Sequence, residues 1–117
     1  MLLNDVHSQL NPAQMAAIAE VDSLEAVRAA IADARERGLP AAIAGGRHAM
    51  GGQQFCDGGL LIDTRPLARV LEFDRERGTI TLEAGIQWPA LLAYLHDSQD
   101  GASAAWGEPG RGRLVVR

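Results

Sequence analysis

Polar and apolar positions alternate along the chain in two distinct periods. Leu24, Val27, Ile31 and Ala34 recur at helical spacing behind Asp22 and Ser23, either of which can cap a helix, with Glu25 set for a capping box. Gly38 and Pro40 end that helix. Residues 41–44 form a short apolar run closed by Gly45-Gly46, which after a helix predicts a core strand of a βαβ unit. Residues 60–63 are a second apolar run. Residues 70–74 and 79–84 flank Arg75-Glu76-Arg77-Gly78, a charged turn ending in glycine that suits a hairpin; in the second arm Ile80 and Leu82 alternate with Thr79, Thr81 and Glu83. A last helix starts at Pro89, with Trp88, Leu91, Leu92 and Leu95 on one apolar face. Residues 15–21 are ambiguous: Asn11-Pro12 reads as a cap and first helical residue, so local signals lean towards helix. From Gly107 the chain is too rich in glycine, proline and arginine to pack as an element. No internal repeat is visible.

Composition narrows the function. The chain has 117 residues, 47% of them hydrophobic, which predicts one small domain with a core. Fifteen acids against 11 basic residues give a net charge of -4, so the clustered basic surface that nucleic acid or anionic lipid requires is not expected. No apolar run reaches the length of a membrane span, and Asn4 and Asp5 fall where a signal peptide would be basic and then apolar; a cytoplasmic protein is expected. The single cysteine, Cys56, fits a reducing compartment.

Every basic residue is arginine. Without lysine the chain has neither the phosphate-binding lysine of a Walker A loop nor an amine for Schiff-base chemistry. His7, His48, Cys56 and His96 show no zinc-ligand spacing, so no metal site is predicted, and Ser8, Ser23, Ser98 and Ser103 lie in no nucleophile elbow.

The densest chemical signal is Ala44-Gly45-Gly46-Arg47-His48-Ala49-Met50-Gly51-Gly52-Gln53, a glycine-rich turn directly after a predicted strand. Successive amide N–H groups in such a turn can form a concave nest for an anion, and glycines leave a pyrophosphate room to approach. The spacing is not GxGxxG, so dinucleotide binding in the doubly wound style is disfavoured. A plain connection with no ligand is the alternative.

Four motifs in order then resemble one family. Val21-Asp22-Ser23-Leu24-Glu25-Ala26-Val27 resembles the "V-x-S-x-E-E-V" helix entry of the flavin-binding domain of the vanillyl-alcohol oxidase and p-cresol methylhydroxylase superfamily. Gly45-Gly46-Arg47-His48-Ala49, after Gly38-Leu39-Pro40, resembles its "G-G-G-H-S" flavin loop. Gly59-Leu60-Leu61-Ile62-Asp63-Thr64 is similar to its "G-x-v-I-D-l-s" strand, and Glu83-Ala84-Gly85-Ile86-Gln87-Trp88 to "v-x-A-G-x-x-w". The resemblance implies the first subdomain of a PCMH-type FAD-binding domain, of α+β class, a small sheet of short strands with two helices. It also makes residues 15–21 a strand.

The resemblance implies FAD as cofactor, with Gly45, Gly46, Arg47, His48, Ala49 and Gly52 around it. His48 falls where many members link covalently to the flavin; noncovalent members exist, and a hydrogen-bonding role is the alternative. Arg47 departs from the family's usual glycine, which crowds the turn but offers a guanidinium to phosphate. Cys56 reads as a free thiol. Trp88 reads as helix packing before flavin contact, Asp63 as a partner of Arg47 or Arg65 or a turn cap, and His7 and His96 as incidental; Trp106 carries no reading. No residue is nominated as a catalytic base.

The resemblance stops near Trp106-Gly107, where composition shifts, so residues 1–106 are expected to be a partial FAD-binding domain and 107–117 an irregular tail, as from a frameshift or truncation. The family's second flavin segment and substrate domain are not recognised. The function implied is the FAD-binding part of an oxidoreductase acting on alcohols, sugar alcohols or aldonolactones, inactive alone, with a separately encoded remainder or self-association as the expected partnership. The rival is a noncatalytic remnant or small interaction module without cofactor.

Overall fold

A computed structural model describes residues 1–99. The irregular tail expected from Gly107, and Trp106, lie outside the described residues. The elements run β1 (Leu2–Leu3), β2 (Ala13–Gln14), β3 (Ala17–Glu20), α1 (Leu24–Glu36), β4 (Ala41–Ala44), a 3-10 turn (Gly52–Gln54), β5 (Leu60–Asp63), β6 (Val70–Asp74), β7 (Thr79–Leu82) and α2 (Trp88–Asp97). Two helices and small sheets of short strands make an α+β chain, as expected.

The central sheet is parallel, in the order β3-β5-β4. The strand–helix–strand unit β3-α1-β4 therefore leaves a gap, and β5 inserts into it. Burial on both faces explains why β5 reads Leu-Leu-Ile-Asp, with every residue buried rather than alternating. Leu60 and Ile62 pack with Val21, Ala30 and Ala34 under α1. Leu61 turns the other way, onto Ala13, Met15 and Ala44. Two small cores thus lie on opposite faces of one strand.

Backbone pairing, rather than local preference, makes β3 a strand: residues 17–20 are in register with 60–63, and Val21 N donates to Asp63 O at 3.0 Å. Asn11-Pro12 opens no helix; the residues that follow form β2, antiparallel to β1.

Ser23 caps α1, its hydroxyl accepting from Ala26 N at 3.1 Å. Glu25 is therefore at the second helical position and forms no capping box, though its charge still suits the helix N-terminus. At the other end Gly38 takes φ +62°, and Leu39 N and Gly38 N donate to Ala34 O and Arg35 O, the paired closure that a left-handed residue permits. The buried stripe differs from the expected one. Ala30 and Ala34, flanked by Ala26 and Val27, face the sheet, while Leu24 and Ile31 are exposed.

β6 and β7 form the expected antiparallel hairpin, with Gly78 at φ +66° in its turn and a bulge between Val70 and Glu72. At its base Glu83 accepts from Arg69 N, Nε and Nη2 at 2.8, 2.9 and 2.6 Å, while Glu83 N returns a bond to Arg69 O. In α2, Leu91 and Leu95 are buried. Phe73 of the hairpin meets Tyr94 edge-on, with ring centroids 6.2 Å apart. Among the described residues no helix is long and apolar enough to cross a membrane.

Candidate functional site

The glycine loop leaves the carboxyl end of β4, the end of a parallel sheet where ligands characteristically bind. Asp63 and Thr64, at the same end of β5, hold the loop's root. Thr64 N donates to Ala44 O at 2.9 Å, with Thr64 Oγ1 at 3.3 Å from the same oxygen. Asp63 is buried and pairs with Arg65 rather than Arg47: Arg65 Nε lies 2.9 Å from both carboxylate oxygens and Arg65 N donates at 3.0 Å. Burial opposes the charge on Asp63, but the bonds from Arg65, with a smaller attraction from Arg47, hold its pKa below the ordinary range.

Gly85 explains the close approach of the second half. Its amide donates to Leu67 O at 2.8 Å, and a side chain there would collide with the Thr64 carbonyl. Only a glycine lets the segment entering α2 lie against the end of β5. That contact brings Ala84, Ile86, Gln87 and Trp88 opposite the glycine loop.

Between them is an open hollow of about 360 Å³, whose lining includes Gly45, Gly46, Arg47, His48 and Ala49 on one side and Gln87 and Trp88 on the other. Five of the six sequence-predicted residues are thus brought together. Gly52 is not among them: it opens the 3-10 turn and lines a separate hollow of about 240 Å³ with Asn11 and Phe55.

Arg47 holds the left-handed conformation, at φ +57°. The position where the family carries glycine thus keeps a glycine-like backbone despite its side chain. Among the described residues Arg47 Nε is buried without a hydrogen-bond partner. Gly46 matters for space, since a Cβ there would strike Gln87 Oε1 and stand 2.6 Å from the His48 ring.

His48 is exposed, yet both ring nitrogens have neighbours: Nδ1 is 3.1 Å from His7 Nε2, and Nε2 is 3.2 Å from Gln87 Oε1. His7, expected to be incidental, belongs to this site. Trp88, expected to pack, is 62% exposed at the rim of the hollow. Gln54, to which the sequence pattern assigns no role, also belongs here: its Nε2 donates to Ala49 O at 2.7 Å and pins the loop's far end. Nothing in the local pattern signals the contacts of His48 with His7 and Gln87, which join residues remote in sequence. Cys56 is a free thiol beside the second core. Among the described residues no group of three or more His, Cys, Asp or Glu could hold a metal ion.

Gln87 caps α2 without a side-chain bond to its first turn, because its amide is turned to Gly85 O and His48 instead. The helix start, the glycine loop and Arg47 therefore border one hollow, an arrangement suited to an anion. No curated protein matches the chain. Residues 15–111 match the family model described as an FAD binding domain. The chain belongs to that family, the FAD-binding domain of the vanillyl-alcohol oxidase and p-cresol methylhydroxylase superfamily of flavoproteins, and FAD is its cofactor.

Proposed function

We propose that the hollow after β4 is the FAD site, with the backbone of Gly45, Gly46, Arg47, His48 and Ala49 around the pyrophosphate and the Arg47 guanidinium paired with it. The observation that carries this reading is the buried, unpartnered Arg47 Nε beside a loop in which a side chain at Gly46 would displace those of Gln87 and His48. A buried donor without an acceptor costs stability, and a phosphate oxygen would satisfy it. Gly52 is left out of the contact set because it lines the other hollow.

FAD-binding domains of this family belong to flavin-dependent oxidoreductases. The bound flavin supplies the redox centre that accepts a hydride from substrate; the chain's part is to hold and orient it. Oxidation of an alcohol, sugar alcohol or aldonolactone is the reaction proposed, from the family resemblance. The hollow is open, and among the described residues none is placed as a base against a substrate. The chain alone is therefore expected to bind FAD without turnover, the substrate side being supplied by further protein. Both ring nitrogens of His48 are engaged, which favours a noncovalent cofactor.

The test is the visible spectrum after incubation with FAD and desalting, repeated on acid-precipitated polypeptide. Flavin absorbance is expected on the native chain, to be lost on precipitation and absent from Gly46→Val, whose side chain fills the cradle. A colourless native chain would overturn the site; colour surviving precipitation would overturn the noncovalent reading and place a bond at His48. The rival reading, a module that associates without cofactor, draws on the exposed apolar side chains of Ile43, Trp88 and Leu92. It is favoured if the colourless chain sediments as an oligomer.

A further inference from the structure

The N-terminal segment precedes the family match, yet it grips the glycine loop. Val6 N donates to Arg47 O at 3.0 Å, and Asn11 Nδ2 donates to Met50 O at 2.7 Å. Asp5 organises that segment from a position only 2% exposed. Its carboxylate accepts from His7 N at 3.0 Å, Ser8 Oγ at 2.8 Å and Asn11 Nδ2 at 3.1 Å, besides the amides of Ser8 and Gln9. His7 is therefore held by its own backbone next to the loop, with its ring centroid 5.1 Å from that of His48.

We propose that His7 is a positioning residue that acts with Gln87 to hold His48 as the Nε2–H tautomer and clamps its imidazole across the edge of the hollow; its consequence for a cofactor rests on the flavin reading above. Three bonds set the assignment in turn. Gln87 Nε2 donates to Gly85 O at 2.9 Å, and a flipped amide would put oxygen against oxygen. Gln87 Oε1 thus faces His48, so the Nε2 that lies 3.2 Å away carries the hydrogen. A neutral imidazole has one N–H, which leaves the lone pair on Nδ1 to accept from His7 Nε2–H at 3.1 Å. With that lone pair occupied, His48 turns no free acceptor towards an anion. A ring without His7 is free to carry its hydrogen on Nδ1, to break with Gln87 and to rotate.

The experiment records two-bond 15N–1H correlations of the histidine rings in the FAD-free chain above neutral pH, and FAD affinity by flavin fluorescence, for the native chain, His7→Phe and His7→Gln. Phenylalanine keeps the ring contact and removes the donor; glutamine restores a donor. The native chain is expected to show His48 protonated at Nε2 only. His7→Phe is expected to mix the tautomers and weaken FAD binding about 5-fold, the effect of one neutral hydrogen bond, with most of the loss recovered in His7→Gln. Native His48 protonated at Nδ1, or a His7→Phe variant with the native tautomer and affinity, overturns the proposal. A native chain that binds no FAD overturns the cofactor reading alone, because the tautomer of the FAD-free chain still decides the role of His7.

Discussion

Arg47 carries two costs that a glycine at the same position would not. A left-handed backbone in a non-glycine residue costs on the order of 1 kcal/mol, and Nε is buried without a partner. Both become understandable if the guanidinium is kept for a ligand, since strained residues cluster where binding needs them. Stability and affinity should then move in opposite directions on substitution. Arg47→Gly is expected to raise the unfolding free energy of the FAD-free chain by about 1 kcal/mol while weakening FAD binding at least 10-fold, because a charge-assisted bond to phosphate is worth about 1.5–3 kcal/mol. Thermal melts with and without FAD measure both. Affinity unchanged in the more stable variant would remove Arg47 from the cofactor's contacts.

At the scale of elements, the side chains that decide α1 packing are alanines. Periodicity located the helix, but Leu24 and Ile31 are the eye-catching apolar positions and both are exposed, whereas Ala30 and Ala34 meet β5. Small residues let the helix lie close to the sheet. Ile31→Lys is therefore expected to change stability by less than about 0.5 kcal/mol, whereas Ala34→Leu should cost about 1–3 kcal/mol by overpacking, as urea unfolding would show. Equal costs would mean that the helix is rotated from this arrangement. The same contrast explains what the sequence could reveal. The helix α1, the hairpin with Gly78 and the buried β5 each follow from residues adjacent in the chain. β3 does not: its local signals lean towards helix, and its identity comes from pairing with residues 60–63. The glycine loop was legible as a candidate site, because glycines after a strand have few other uses. His7 was not, since its contact with His48 spans 41 residues. Trp88 departs from the apolar face its spacing predicts because α2 starts at that residue: its first turn overhangs the hollow, while Leu91 and Leu95 supply the buried face.

Across the molecule, three carboxylates tie its parts together: Asp5 folds the N-terminal segment whose Val6 and Asn11 bond the loop, Asp63 closes β5 with Arg65, and Glu83 closes the hairpin base with Arg69. For Asp5 and Asp63 burial pushes the pKa up, yet their hydrogen-bond donors prevail and hold it below the ordinary range; for Glu83 the bond from Arg69 is the largest cause of the same depression. Carboxylates with folded pKa values below the unfolded ones stabilise the fold fully above the unfolded value of about 4 and lose that contribution as pH falls towards the folded values. The melting temperature is therefore expected to vary little from about pH 7 to 5 on account of these groups, and to fall steeply below about pH 4. Asp5 is the most informative to remove, because its donors include both backbone and side chains of the segment that grips the glycine loop. Asp5→Asn keeps the shape but loses the charge and one acceptor oxygen, so it should melt below the native chain at pH 7 and approach it as the medium becomes more acid than about pH 4. Calorimetric melts of both proteins across that range measure the gap. Parallel curves would show that Asp5 ionisation does not contribute to folding; a converging pair, accompanied by weaker FAD retention in Asp5→Asn at pH 7, would establish that the N-terminal turn and the glycine loop are stabilised as one unit.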